Sequence, residues 1–147
     1  VYALDNHKGA LERTRALAER SGVGDRVKAV EANLRAEAGL SEVPQAALVH
    51  GHRFLDKALL ARLAADEGDR GPFIGPRGVF MWGHFLEGCE VLAPPRRKSL
   101  QLERGWMRSL FAPPRWQTLE DREATLNTRN ETVPAQSFAV QRAPDGA

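Results

Sequence analysis

Val1-Tyr2-Ala3-Leu4-Asp5-Asn6-His7 reads as an apolar strand that ends in an acid and passes at once into a helix. In open parallel α/β sheets ligands bind beyond the C-terminal ends of the strands, and a carboxylate there can accept hydrogen bonds from both hydroxyls of a ribose. The same carboxylate has a plainer use as a helix N-cap, favoured by the helix dipole. In sheets of this kind the acid-ended strand is the second, and a first strand with a Gly-rich turn precedes it by about 20 residues. Here the sequence opens on the acid-ended strand, with no initiator Met. The expectation is the C-terminal portion of an enzyme that uses a nucleoside cofactor.

Downstream, Ala10, Leu11, Ala16, Leu17 and Ala18 follow helical spacing through Arg20, and Ser21-Gly22 stops the helix. Val27 to Ala32 alternates apolar and polar as a strand does, with Asn33-Leu34 at its end. Ala46 to His50 is a short apolar run, expected to be a central parallel strand covered on both faces. Lys57 to Ala65 repeats Leu and Ala at helical spacing, and Gly75-Pro76-Arg77-Gly78 turns the chain into the strand Val79 to Trp82. The insertion Asp66 to Pro72 lengthens the preceding loop. A short helix holds Trp106, Met107, Leu110 and Phe111. Two strand-like segments follow, Trp116 to Leu126 and Gln136 to Gln141, with a turn at Asn127 to Asn130.

Composition narrows the class. At 147 residues and 42% hydrophobic content the chain suffices for one domain with a core, and its apolar runs are too interrupted for a membrane span. The 21 basic and 19 acidic side chains nearly cancel, so charge does not by itself argue for nucleic acid, which is not an expected partner, and Arg96-Arg97-Lys98 is the lone basic cluster. A single cysteine, Cys89, excludes an internal disulfide and fits a reducing cytoplasm. No signal-peptide pattern is visible.

The order strand, helix, strand, strand, helix, strand, helix and a terminal strand pair resembles class I S-adenosylmethionine-dependent methyltransferases. The segment Leu102 to Phe111, the Trp-led strand after it and Ser137-Phe138-Ala139-Val140-Gln141-Arg142 are similar to the tail of the small-molecule branch related to tellurite-resistance methyltransferases. The resemblance implies an α/β, Rossmann-like sheet that lacks its first strand and ends in an antiparallel pair, with residues 1–147 as the C-terminal portion of one methyltransferase domain. It implies S-adenosyl-L-methionine as cofactor and a small-molecule methyl acceptor as partner. The family places its first strand between the second and the fourth, so its absence leaves two half-sheets with unpaired inner edges. Each buried unpaired backbone group costs about 1–3 kcal/mol, and open edges template aggregation. The chain alone is therefore not expected to be a competent enzyme.

By this resemblance Asp5 accepts from the ribose, Asn6 borders the adenine, Asn33 accepts from its exocyclic amine and Leu34 lies against the ring. His50 lines the cofactor pocket, with Gly51 allowing close backbone approach. His52 or Arg53 orients an anionic substrate or accepts a proton, and Trp82, His84, Phe85 and Glu87, just past a strand end, form a substrate wall or lid. Each has a plainer alternative: helix caps for Asp5 and Asn6, a turn residue for Asn33, core for Leu34 and Trp82, a solvated loop for His50 to Arg53. His50, His52, His84 and Cys89 have no recognised metal spacing, so no metal site is expected. A nicotinamide-dependent oxidoreductase would also carry an acid at the end of its second strand, but the terminal strand pair argues against it. A non-catalytic binding module using Arg96 to Lys98 is the alternative from outside enzymology.

Overall fold

The computed structural model describes residues 1–36, 40, 43–65, 72–88, 101–127 and 132–144. Most of the Asp66 to Pro72 insertion, Cys89, the Arg96 to Lys98 cluster and Thr128 to Asn130 lie outside the described residues. The chain divides into two compact units, Val1–Pro44 and Gln45–Ala147.

The first unit is a strand-helix-strand module. Strand β1 (Tyr2–Asp5) and strand β2 (Lys28–Glu31) run parallel in register, Tyr2 opposite Lys28 and Asp5 opposite Glu31. Helix α1 (Lys8–Arg20) connects them and buries Leu11 and Ala18, two turns apart on one face. Leu17, grouped with them by spacing, is 56% exposed. The helix ends in a Schellman-type turn: Val23 N–H donates to the Ala18 carbonyl at 2.9 Å and Gly22 N–H to the Glu19 carbonyl at 3.0 Å. Gly22 takes the left-handed conformation this turn demands, with φ of 65°. The expected stop at Ser21-Gly22 is thus where the helix ends.

The second unit is a four-stranded sheet in the order β3-β4-β6-β5, formed by Ala46–His52, Ile74–Phe85, Thr132–Arg142 and Trp116–Asn127 respectively. Strands β3 and β4 run parallel, joined through helix α2 (Lys57–Ala65). Strand β6 runs antiparallel to both β4 and β5. The fold is α/β with a C-terminal antiparallel pair. Helix α3 (Trp106–Leu110) precedes that pair.

Three expectations are corrected. The chain does not simply turn at Gly75 to Gly78: Ile74 already pairs with Ala46, and four residues bulge out before Val79 pairs with Leu48. Strand β4 also continues past Trp82 to Phe85, because β6 offers a matching ladder from Gln141 to Ala135. His84 and Phe85 therefore sit in a strand, not in a loop beyond one. Finally, β3 is not covered on both faces: among the described residues it is hydrogen-bonded to β4 alone, and its Leu48 is 55% exposed. At the other edge, β5 carries the charges Glu120 to Glu123, which discourage edge-to-edge pairing.

Helices α2 and α3 supply the apolar cover of one face of this sheet. Leu60, Phe80, Phe111 and Met107 are fully buried and Phe138 is 1% exposed. Phe111 is the hub, stacked on Phe80 at 4.3 Å between centroids and packed edge-on against Trp116 at 5.2 Å. The one polar atom of the Trp116 ring is satisfied, its Nε1–H donating to the Ala64 carbonyl at 2.8 Å. Lys57 donates to both Glu103 oxygens, at 2.8 and 2.7 Å, and this bond holds the Glu103 carboxyl below the usual carboxylate range. No helix among the described residues is long and apolar enough to cross a membrane.

Candidate cofactor and acceptor site

In the first unit, parallel pairing brings four of the expected residues to one end. Asp5 faces Glu31 in the ladder, and Ala32 N–H donates to the Asp5 carbonyl at 3.0 Å, so Asn33 and Leu34 leave β2 beside the end of β1. Asp5 is half-buried and Asn6 exposed. The Asp5 Oδ1 accepts from His7 N–H at 2.8 Å. The helix cap itself is His7, whose Nδ1 accepts from Ala10 N–H at 3.2 Å. Asp5 thus pins the exit of the strand without capping the helix, and its second oxygen has no hydrogen bond among the described residues. Asn33 is exposed and its Oδ1 accepts from Arg35 N–H at 3.2 Å, the geometry of an Asx turn. Leu34 is half-buried.

In the second unit the expected residues separate onto two faces of the sheet. Gly51 stands opposite Trp82 in register, and His52 opposite Gly83. Alternation along a strand then sets Trp82 and His84 on the helix-covered face and His50 and His52 on the other. Trp82 is 6% and His84 5% exposed. The Trp82 indole lies parallel to Phe80 at 5.3 Å and donates from Nε1 to the Phe54 carbonyl at 2.9 Å. His50 and His52 are exposed.

Gly51 has a packing reason of its own. A Cβ there would lie 2.1 Å from the Trp82 ring. Gly51→Ala should destabilise the protein by about 1–3 kcal/mol, the usual cost of overpacking, since the indole is held by both a stack and a hydrogen bond. Urea denaturation followed by tryptophan fluorescence checks this, and a variant as stable as the parent would mean the indole moves freely.

Gly83 belongs to this region too and residue-type reasoning passed over it, while Phe85, expected in the substrate wall, lies two residues on along the same strand. The His52 ring lies over Gly83, where a Cβ would stand 2.7 Å from Nδ1. The Arg53 guanidinium lies over the Phe85 ring at 5.3 Å. Continuing the period-2 alternation of β4 beyond Trp82 would have shown that Gly83 and Phe85 share one face. A second missed group is the Gln136 amide, 4% exposed, which donates to Asp121 Oδ1 at 2.6 Å while Arg108 Nε donates to Asp121 Oδ2 at 2.8 Å. No group of three or more His, Cys, Asp or Glu side chains suited to a metal occurs among the described residues.

No family model matches the chain, and no curated protein matches it in sequence. Solved structures do match it in shape. A protein studied in the conversion of a disulfide bond into a thioacetal group during echinomycin biosynthesis superposes with a TM-score of 0.65 at 18% identity, covering 100% of this chain and 68% of that one. A Galdieria sulphuraria protein described as a sarcosine dimethylglycine methyltransferase gives 0.65 at 12% identity, over 97% of this chain and 69% of that one. A geranyl diphosphate methyltransferase in complex with S-adenosylmethionine gives 0.60 at 13%, over 97% and 68%. The chain has a methyltransferase fold. This Rossmann-like methyltransferase fold runs through nearly the whole chain, and the terminal antiparallel pair β5–β6 lies within the matched region.

Proposed function

We propose that this chain is that of an S-adenosyl-L-methionine-dependent methyltransferase acting on a small molecule, in the branch similar to tellurite-resistance methyltransferases. The observation that carries the reading is the match in shape to methyltransferases over almost the full chain, one of them solved with the cofactor bound. The residues of the first unit fit the nucleoside half of that cofactor. Asp5, at the C-terminal end of a parallel strand, keeps one carboxylate oxygen for a ribose diol while the other is held by His7 N–H. Asn33 Oδ1, turned toward Arg35 N–H, retains a lone pair for an amine donor. Asn6 and Leu34 would flank the base.

Within the second unit, His52 and Arg53 would meet the acceptor beside His50, and Trp82 and His84 would shape the sheet beneath it. When bound, the cofactor supplies an electrophilic sulfonium methyl. The chain's own task is to align the acceptor with that methyl and to exclude water, which makes catalysis a matter of positioning. No side chain described here is placed as a covalent nucleophile, in keeping with direct transfer. Such an enzyme works on soluble metabolites in the cytoplasm under this reading.

The test is calorimetric titration of the chain, and of the longest in-frame gene product containing it, with S-adenosylmethionine and in parallel with oxidised nicotinamide dinucleotide. Binding of the former and not the latter is the expected result. Binding of the nicotinamide dinucleotide alone would replace methyl transfer with hydride transfer.

A further inference from the structure

We infer that His52 and Arg53, at the C-terminal end of β3, form a preorganised subsite for the oxyanion of a small molecule, a carboxylate or a phosphate group. The inference starts from the backbone. Arg53 has φ of 55°, in the left-handed region that non-glycine residues rarely enter and that surrounding structure must impose. Arg53 N–H donates to the Gly83 carbonyl at 2.8 Å, which extends the β3–β4 ladder by one bond and fixes this conformation. The side chain then lies across the exposed face of the sheet.

What holds it there is Phe85. The guanidinium stands 5.3 Å from the centre of that ring, a cation–π contact that leaves the edge of the guanidinium free to donate. Beside it, the His52 imidazole occupies the space above Gly83, one step back along the same face of β4. His52 and Arg53 thus project side by side over Gly83 and Phe85, with His50 opposite Met81 behind them. Among the described residues neither Arg53 nor His52 has an acidic partner or a hydrogen-bonded side chain. A planar fork of donors, stacked on a ring and left without an acceptor, matches the two oxygens of a carboxylate or phosphate. Placing this anion on a methyl acceptor rests on the methyltransferase reading, but the subsite can be tested without the cofactor.

The test is nuclear magnetic resonance of the arginine Nε–Hε groups and histidine rings during titration with sodium acetate and, separately, inorganic phosphate, at constant ionic strength and without S-adenosylmethionine. Saturable shifts of Arg53 and His52 are expected with at least one anion, and the anion that saturates names the group. Arg53→Gly should weaken binding at least tenfold, read at His52, while melting at or above the parent temperature because the left-handed backbone suits glycine. Phe85→Leu, which removes the ring but keeps an apolar side chain, should weaken binding severalfold. Unsaturable drift equal to that of the exposed Arg13, or saturation unchanged in Arg53→Gly, would overturn the subsite. Anion binding in this chain, beside failure of the longest in-frame gene product to bind S-adenosylmethionine, would leave the subsite standing and remove the methyltransferase reading.

Discussion

Replacing Asp5 with alanine should weaken S-adenosylmethionine binding by roughly 10- to 150-fold. A carboxylate that accepts hydrogen bonds from a ribose contributes on the order of 1.5–3 kcal/mol when the acceptor is charged. The same substitution removes the Asp5–His7 bond of 2.8 Å, a contact that positions the helix entry. Because the N-cap is His7 and its own bond to Ala10 N–H survives, the stability loss should stay near ~1 kcal/mol, the scale of a cap. Calorimetric titration beside thermal melting, in the in-frame product that binds the cofactor, separates the two effects. Unchanged cofactor affinity with a lowered melting temperature would leave Asp5 as a purely structural residue. His7→Ala serves as the complement, costing about 1 kcal/mol of stability with affinity retained in the folded fraction.

Phe111→Ala should cost about 3–5 kcal/mol of stability, a large share of the 5–15 kcal/mol typical of a domain. The ring is fully buried and touches three other aromatic side chains, Phe80 at 4.3 Å, Trp116 at 5.2 Å and Phe138 at 5.8 Å. Two of these belong to the central strands β4 and β6 and the third to the edge strand β5, so removal opens a cavity that no single element can close. Collapse is further resisted by Trp116, whose Nε1–H is tied to the Ala64 carbonyl. Urea denaturation monitored by circular dichroism measures the loss. Leu17→Ala, at a side chain 56% exposed, should shift stability by no more than about 0.5 kcal/mol. A Phe111→Ala cost as small as that would mean the aromatic cluster is not the centre of the core.

The elements themselves were legible because local rules specify them. The acid-ended opening strand, the helix stopped at Ser21-Gly22, the helix at Lys57 to Ala65 and the Trp116-led terminal strand all lie where periodicity and turn residues put them. Element ends were less so. Phe85 closes β4 rather than Trp82, because a strand continues as long as its neighbour offers a ladder, and that neighbour, β6, lies some fifty residues away in sequence.

What the sequence by itself determined, then, is the order and kind of the elements, since hydrophobic period and capping act over a few residues. It also marked Asp5, Asn33, His50 and His52 as strand-end polar groups by position alone. Which face each side chain takes was decided by tertiary pairing. Trp82 and His84 fall on the helix-covered face and His52 on the open one because β3 and β4 pair with Gly51 opposite Trp82 and His52 opposite Gly83; a one-residue slip would reverse them all. The roles of Gly51, which makes room for an indole, and of Phe85, which carries a guanidinium, likewise arise from contacts between segments about thirty residues apart. No local pattern encodes such contacts, because they exist only once the ladder sets the register.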